Sequence, residues 1–223
     1  LGFDSPDELI SGTFNIARQF YVHPEERTRL AGILEEKGRV EGFEVELKRN
    51  DGSEIWVSIN VHTVQDPDGN LLYYEGTCED ITKRRQAEEA LQESEGIFRA
   101  MFNQSYHLMG LMNPEGVILK ANSTALDLAG ASEDEVVGKA FWDTPWWSHS
   151  RHEQEKLRDA IRKSARGELV RFVTTHCDSG GNLHYIDFSL KPVKDEEGKV
   201  VLVIPEGRDI TERVVMEEAL RES

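Results

Sequence analysis

Cysteine and long apolar stretches are both scarce in this sequence of 223 residues. The two cysteines, Cys78 and Cys177, form no Cys-x-x-Cys pair, so the sequence predicts no disulfide framework, zinc ribbon or covalently attached haem. No apolar run approaches the roughly 18 residues that can span a bilayer, and Leu1-Gly2-Phe3-Asp4 does not have the form of a signal peptide. We therefore expect a cytoplasmic protein, or the cytoplasmic side of a membrane-anchored parent, without direct membrane insertion.

Basic residues are also few. The chain has 26 lysines and arginines against 42 aspartates and glutamates, which gives a net charge of −16. Because contacts with phosphate groups depend on clustered basic side chains, this balance argues against binding to nucleic acid. The sequence also has no glycine-rich phosphate loop, no Gly-x-Ser-x-Gly elbow and no Ser/His/Asp or Cys/His set that can be placed together. We therefore expect no catalytic residue.

What the chain does contain is a long internal repeat. Asp80-Ile81-Thr82-Lys83-Arg84 recurs 129 residues later as Asp209-Ile210-Thr211-Glu212-Arg213, and Glu88-Glu89-Ala90-Leu91 recurs as Glu217-Glu218-Ala219-Leu220. A period well above about 50 residues indicates duplicated domains, because solenoid repeats are shorter. The sequence therefore predicts two domains, each continued by the segment after its Asp-Ile-Thr.

The second copy has the pattern of a complete α+β domain. Apolar and polar residues alternate from Leu183 to Val193, as in a half-buried strand. The predicted strands are His107–Met112, Val117–Lys120, Leu169–Cys177, Leu183–Val193 and Val200–Ile204, and the predicted helices are Asn122–Leu128, Glu133–Val137 and a longer one from Ser150 to about Arg166. Two strands, several helices and a three-strand meander predict one five-stranded antiparallel sheet with the helices on one face.

The first copy contains only the later part of this plan. A helix is expected from His23-Pro24-Glu25, followed by strands at Phe43–Lys48, Ile55–His62 and Leu71–Cys78. The opening hairpin and the helix after it have no counterpart. Either the chain begins inside a domain, which we favour, or the missing strands come from elsewhere. The predicted boundaries are 1–84 for the incomplete first domain, 85–98 for a connecting helix, 99–213 for the complete second domain and 214–223 for an outgoing helix.

The connecting helix has a short heptad pattern. Its positions, spaced by four and three residues, are Ala87, Leu91, Ser94, Phe98 and Met101, and the same spacing restarts at Met216, Leu220 and Ser223. This pattern predicts a homodimer through helices 85–101 and 214–223. The alternative is that each helix packs on its own domain, which would produce the same stripe.

These features together resemble the PAS, or sensory box, family. The order of strands and helices, the Asp-Ile-Thr-x-Arg ending found twice at one offset, and the Glu-Glu-Ala-Leu segment beyond it carry the resemblance over almost the whole chain. Val22-His23-Pro24-Glu25 in the first copy and Gly138-Lys139-Ala140-Phe141-Trp142 in the second add to it. The resemblance implies the tandem PAS region of a bacterial sensor histidine kinase or diguanylate cyclase, with the output domain outside this chain.

The resemblance also implies that strain passes to the output domain through the helix after the last strand. Asp80 and Thr82 in the first copy, and Asp209 and Thr211 in the second, occupy that joint. The threonine would cap the outgoing helix, and the aspartate would tie it to the domain body. The alternative is a helix start without a signalling role.

Two cofactors of the family are not expected here. Nothing matches the Gly-x-Asn-Cys-Arg-Phe-Leu-Gln segment of its flavin photoreceptors. Its haem sensors use a histidine on the long helix, where this chain has His152. The apolar stripe of that helix is Leu157, Ala160, Ile161 and Ser164, and His152 falls on the opposite side. His149 and His152 have metal-like spacing without acidic or cysteine partners, so no metal site is predicted and the cofactor stays unknown.

An aromatic cluster marks the expected ligand pocket. Three of the four tryptophans, Trp142, Trp146 and Trp147, fall within six residues, and aromatic side chains supply large flat surfaces. They either wall a pocket or plug the core. The residues expected to line a pocket are Met109, Asn122, Leu126, Phe141, Trp142, Trp146, Phe172, Ile186 and Phe188. For Asn122, capping of a helix is an equal alternative.

The sequence thus predicts a sensory module that binds a small ligand in the core of its second domain and relays the change through the C-terminal helix. The alternative is a ligandless module for dimerisation and spacing. An open cavity around Trp142 and Phe188 would favour sensing, whereas a filled core would favour the spacer.

Overall fold

The structure, a computed structural model, describes residues 1–13 and 15–222. It divides into two compact units, Leu1–Glu95 and Gly96–Ser223, and each contains one copy of the repeat. Ser223, which the heptad pattern included, lies outside the described residues.

The first unit combines three helices with a three-stranded sheet. Its elements are α1 (Pro6–Gly12), α2 (Ile16–Gln19), α3 (Pro24–Lys37), β1 (Arg39–Lys48), β2 (Glu54–Gln65) and β3 (Leu71–Asp80). The strands are antiparallel in the order β1-β2-β3. Helix α3 begins with proline, which suits a first turn, and ends before Gly38, whose φ of 71° is the left-handed conformation common at helix ends. Leu30 and Leu34 of α3 share one buried core with Val45 of β1.

Strand β3 forms the edge of this sheet and is exposed along its whole length. Its exposed side chains include Leu71, Leu72, Tyr73 and Tyr74. Within the described part of the first unit, β3 pairs only with β2, and no strand corresponds to the opening hairpin of the second copy. The described residues therefore contain the incomplete plan that the sequence predicts for the first copy.

The helix after β3, α4 (Thr82–Asn103), extends beyond both ends of the predicted connecting helix. Every side chain from 86 to 101 is exposed, including Leu91 and Met101 of the heptad pattern. Phe98 differs from these two residues, because its ring stacks on the buried Phe102 with 5.3 Å between centroids. Most of the stripe on α4 is thus uncovered, and one position of it has a partner on its own helix.

The second unit contains the complete plan. Its strands are β4 (Leu108–Met112), β5 (Ile118–Ala121), β6 (Val170–Cys177), β7 (Leu183–Lys194) and β8 (Val200–Asp209). Its helices are α5 (Ser123–Ala129), α6 (Glu133–Val136), α7 (Arg151–Ser164) and α8 (Thr211–Glu222), with 3₁₀ turns at Phe141–Asp143 and Pro145–Trp147. The strands form one antiparallel sheet in the order β5-β4-β8-β7-β6, which confirms the predicted α+β class and five-stranded sheet.

Helix α7 packs against β6 and β7 and supplies one side of the core. Ser150 caps it by accepting a hydrogen bond from the N–H of Glu153 at 3.3 Å. Its buried residues are Leu157, Ala160, Ile161 and Ser164, the stripe that the sequence predicts. His152 is exposed, on the side of the helix away from that stripe.

The last strand is longer than predicted. β8 continues through Pro205 to Asp209 instead of ending at Ile204. Proline has no backbone N–H to give to a sheet, yet the strand continues through it. Pairing with β7 continues through Pro205, whereas pairing with β4 is interrupted between Val203 and Glu206. One strand therefore runs from the core of the unit directly to Asp209.

Candidate functional site

The start of helix α8 is tied to the sheet by hydrogen bonds. Asp209 accepts from the backbone N–H and from the hydroxyl of Thr211, at 2.8 and 2.6 Å. The hydroxyl oxygen of Thr211 accepts from the backbone N–H of Tyr185 in β7, at 2.9 Å. The aspartate thus caps the first N–H of the helix, and the threonine bonds to the sheet. The expected tie of the aspartate to the domain body is its bond to His184 of β7.

The first copy repeats the two backbone hydrogen bonds of this joint. Asp80 accepts from the N–H of Thr82 at 3.0 Å, and the hydroxyl oxygen of Thr82 accepts from the N–H of Trp56 at 3.0 Å. Trp56 in β2 occupies the place of Tyr185 in β7, 129 residues later. The same link between a strand and an outgoing helix therefore occurs in both units.

The partner of the aspartate differs between the copies. Asp80 accepts from Arg49 at 2.7 Å, and arginine keeps its positive charge. Asp209 instead meets Nδ1 of His184 at 2.7 Å, and Nε2 of that ring lies 3.3 Å from Asp178. Burial alone would lower the pKa of His184, but its hydrogen bonds to Asp209 and Asp178 outweigh burial and raise that pKa. Two carboxylate partners favour the charged ring, since only this form donates from both nitrogens.

We expect His184 to stabilise the second unit below neutral pH. A histidine whose pKa is raised on folding contributes stability below its unfolded pKa of about 6.5, and loses that contribution as the pH rises through the folded pKa. At about pH 6, His184→Gln should lower the free energy of unfolding by about 1 kcal/mol, as for a partly exposed charge pair. Urea unfolding should show this deficit shrinking toward about pH 9. An equal deficit at both pH values would contradict the assignment.

The core of the second unit is built from aromatic rings. Trp147 is fully buried, and its ring lies edge-on to Phe141 and Phe188, with 5.5 and 5.4 Å between centroids. Trp146 is also buried, and its Nε1 donates to the carbonyl of Ala125 at 2.8 Å. The two 3₁₀ turns therefore direct most of the aromatic cluster inward as a dense core.

A small cavity remains beside these rings. Its volume is about 20 Å³, measured as the space open to the centre of a water-sized sphere, which is room for about one water molecule. Four of the nine residues predicted for the pocket line it, namely Met109, Phe141, Trp146 and Phe188. Every other lining residue has an apolar side chain or none, apart from His176. The core is thus nearly filled, and little space remains beside its aromatic rings.

Asn122 is buried and fully hydrogen-bonded to the backbone. Its Oδ1 accepts from the N–H groups of Met109 and Ala125 at 2.9 and 3.0 Å. Its Nδ2 donates to the carbonyls of Phe102 and His107 at 3.0 and 2.9 Å. The side chain caps α5 and joins that helix to α4 and β4. All of its hydrogen-bonding positions are occupied within the protein, and it does not line the cavity.

The other four predicted pocket residues surround the cavity without lining it. Ile186 is fully buried in β7, while Leu126 and Phe172 are partly buried against the same core. Trp142 is also partly buried, and the guanidinium carbon of Arg158 lies 5.2 Å from its ring centroid. Of the three clustered tryptophans, Trp142 is the one that lies toward the surface, whereas Trp146 and Trp147 are buried.

His176 is the one polar residue among the lining residues that the sequence analysis did not predict. It lies on β6, it is 3% exposed, and neither of its ring nitrogens has a hydrogen-bond partner among the described residues. Burial, and then the nearby His149, lower the pKa of His176 to about 3, so the ring is neutral at physiological pH. The available signal was period-two spacing, because Phe172, Thr174 and His176 share the inner face of β6.

Two kinds of feature are absent from the part of the chain that the structure describes. None of its helices is long and apolar enough to cross a membrane. No three histidine, cysteine, aspartate or glutamate side chains there come together so as to hold a metal ion.

Two family models match the chain, one for each copy of the repeat. A model described as PAS fold matches residues 102–215, and a model described as PAS domain matches residues 1–83. The first match alone covers just over half of the sequence. The chain belongs to the PAS family. Its two PAS domains stand in tandem, and the repeated Asp-Ile-Thr joint lies near the end of each match.

Histidine kinases are among the relatives of this PAS chain. It is 32% identical over 142 residues to hybrid signal transduction histidine kinase D of Dictyostelium discoideum, and 33% identical over 140 residues to sensor histidine kinase TmoS of Ectopseudomonas mendocina. These matches cover 63% and 60% of the chain but 9% and 14% of the two relatives. The chain therefore spans a small part of each curated relative.

A solved PAS domain is similar in fold. The PAS domain of an HTR-like protein from Haloarcula marismortui matches at 20% identity with a TM-score of 0.45. That match covers 56% of this chain and 99% of the solved domain.

Proposed function

We propose that this chain is the tandem sensory region of a sensor histidine kinase, in which each PAS domain passes a conformational change to the helix that follows it. The repeated joint carries this proposal, because a side-chain link joins a strand to the first turn of an outgoing helix in both units. A movement of the sheet at Tyr185 or Trp56 would therefore displace the helix start. The kinase relatives support the choice of output domain.

The proposed route continues through helices α4 and α8 in a homodimer. The exposed stripe of α4 includes Leu91 and Met101, and α8 exposes Met216. Residues spaced in heptads form a stable seam when the same residues of a second helix cover them. In this arrangement a second copy of the chain covers both helices, and a shift at either joint alters the pairing of the helices in the dimer.

A second candidate function, a ligandless spacer, is supported by the density of the second core. Phe141, Trp146 and Phe188 leave a cavity of only about 20 Å³, and a spacer needs the joints and helices but no ligand. We favour sensing because an unpaired polar side chain, His176, lines that cavity. Buried polar groups in packed cores almost always have a hydrogen-bond partner. Among the described residues of this unit, Trp147, His149 and Ser164 also have an unpaired buried atom, but only His176 lines the cavity. Its position supports a partner that enters the cavity from outside the protein.

The test of the proposed function is Asp209→Ala in the longer protein that carries this region. Removing the carboxylate takes away its bonds to Thr211 and His184 and leaves Thr211 held to the sheet by Tyr185 alone. The second domain should therefore stay folded while its influence on the output is lost. The rate of kinase autophosphorylation should change about fivefold or more, which is the lower end of coupling between sites. Autophosphorylation with labelled ATP measures this rate, and circular dichroism monitors the fold.

Asp195→Ala is the matched control for this variant. Asp195 also accepts backbone hydrogen bonds, from Glu197 and Lys199, but it lies in the turn between β7 and β8 at the other end of the strand. Its replacement should leave the rate within about twofold of wild type. If Asp209→Ala and Asp195→Ala give the same rate as wild type, the joint has no part in signalling and the proposal fails.

A further inference from the structure

The ring of His176 stands in the second core without a partner for either nitrogen. It packs edge-on against Trp147 and Phe188, with 4.7 and 5.9 Å between centroids. These contacts cover the ring but accept and donate no hydrogen bond at the nitrogens. Leaving such a group unpaired in a core is costly, and the ring borders the cavity. The cavity is therefore the place from which a partner can reach it.

We propose that this cavity binds a small uncharged molecule that carries a hydroxyl or carbonyl group and hydrogen-bonds to the ring of His176. This inference rests on the sensory role proposed above and names the class of ligand for it. A neutral imidazole presents one N–H donor and one acceptor nitrogen. A hydroxyl group can pair with either nitrogen, and a carbonyl group can accept from the N–H.

The surroundings exclude a charged ligand. No lining residue of the cavity carries a charged side chain, and an unpaired charge in such a place is strongly disfavoured. Burial, and then His149, lower the pKa of His176 and so act against its protonation. The Nε2 of His149 is itself engaged with the hydroxyl of Thr175 at 2.9 Å. A carboxylate ligand would therefore meet no cation in the cavity.

The size of the cavity limits the ligand as well. A volume of about 20 Å³ holds about one water molecule, so a molecule of about two or three non-hydrogen atoms fits only when the walls move outward. The lining residues with the smallest side chains are Gly110, Ala121 and Ala125. A flat ring such as flavin or haem is far larger than this space.

The cavity borders the strand that leads to the joint. Pro205 and Gly110 line it, and they lie where the pairing of β4 with β8 is interrupted. A Cβ atom placed on Gly110 would lie 3.0 Å from Cγ of Pro205, so the two strands approach closely there. A molecule that pushes on Pro205 acts on β8 four residues before Asp209. Binding near His176 therefore has a short path to helix α8.

Ethanol is the probe for the first test, which uses the whole chain with ¹⁵N-labelled histidine. Ethanol should shift the His176 ring signals in a saturable manner and leave the exposed His152 unchanged. His176→Leu, followed through the indole signal of Trp147, should bind ethanol about tenfold more weakly, as expected for the loss of one hydrogen bond. Leucine replaces the unpaired nitrogens by apolar atoms, so this variant should fold.

Ala125→Val is the second variant, because it keeps His176 and fills the cavity with two methyl groups. Its His176 signals should no longer respond to ethanol. Acetate, a charged probe of similar size, should leave the wild-type signals unchanged. Equal ethanol binding by wild type and His176→Leu, an unsaturable response, or an acetate response equal to that of ethanol would overturn the proposed ligand class. The proposed function is judged separately, since Asp209→Ala changes the kinase rate through the joint and not through the cavity.

Discussion

Replacing Trp147 with alanine should lower the free energy of unfolding of the second unit by about 3–5 kcal/mol. The side chain is fully buried and touches the rings of Phe141, Phe188 and His176. Its removal leaves a large void between α7 and the sheet, because rigid aromatic neighbours cannot close around it. Urea unfolding, followed through the NMR signals of β7, measures the loss. The first unit should keep its stability, since it has a separate core.

Trp142→Ala is the control for this prediction. The two tryptophans are five residues apart, but Trp142 is only partly buried and its ring faces Arg158. Its replacement should cost about 1 kcal/mol, in the usual range for a partly exposed position. If both variants lose the same stability, Trp147 is not the centre of the core.

Leu91→Asp should abolish self-association through the helices. Leu91 is 61% exposed in the isolated chain, so the substitution should not disturb the fold of either unit. In a helical seam the new carboxylates would face each other in an apolar strip, which should weaken the dimer about 100-fold or more, or about 3 kcal/mol. Sedimentation equilibrium over a range of concentrations measures the dissociation constant.

Gln92→Asp supplies the matched control on the same helix. It introduces the same charge one residue away, at about 100° around the helix from Leu91, and should change the dissociation constant less than about threefold. Phe98 is a poorer test position, because its ring stacks on Phe102 within the helix. A Leu91→Asp variant that associates like wild type would exclude the proposed seam.

The sequence was sufficient for the elements whose pattern is local. The alternation from Leu183 to Val193 predicted β7, and the apolar spacing of α7 predicted which of its faces is buried. The repeat then located the matching strands of the first unit, because β2 and β3 lie 129 residues before β7 and β8. Hydrophobic periodicity and an internal repeat can be seen in the sequence alone. Predicting these elements from them did not require knowing which residues pack against each element.

The content of the core was harder to predict. Among neighbouring aromatic residues, only the geometry of the two 3₁₀ turns determines that Trp147 is buried and that Trp142 lies toward the surface. The extension of β8 through Pro205 depends on β7 as a partner. His176 was not predicted, because the hydrogen bonds of a single polar residue on a strand cannot be inferred until its spatial neighbours are known. Such features depend on tertiary contacts.

Among the described residues, β3 has a strand partner on one side only. In isolation this chain should therefore tend to self-associate through the other side of β3. A free row of backbone N–H and carbonyl groups is a template for pairing with another chain, and Leu71–Tyr74 is its most apolar part. Glu75 and Glu79 supply the only like-charge repulsion along that strand before Asp80, and acid would remove this protection. Edge-to-edge pairing of β3 strands from two chains would thus compete with dimerisation through the helices. Low pH and high concentration would favour the edge pairing. Mutations on α4 would leave such pairing intact, so the Leu91 and Gln92 variants also separate the two kinds of assembly.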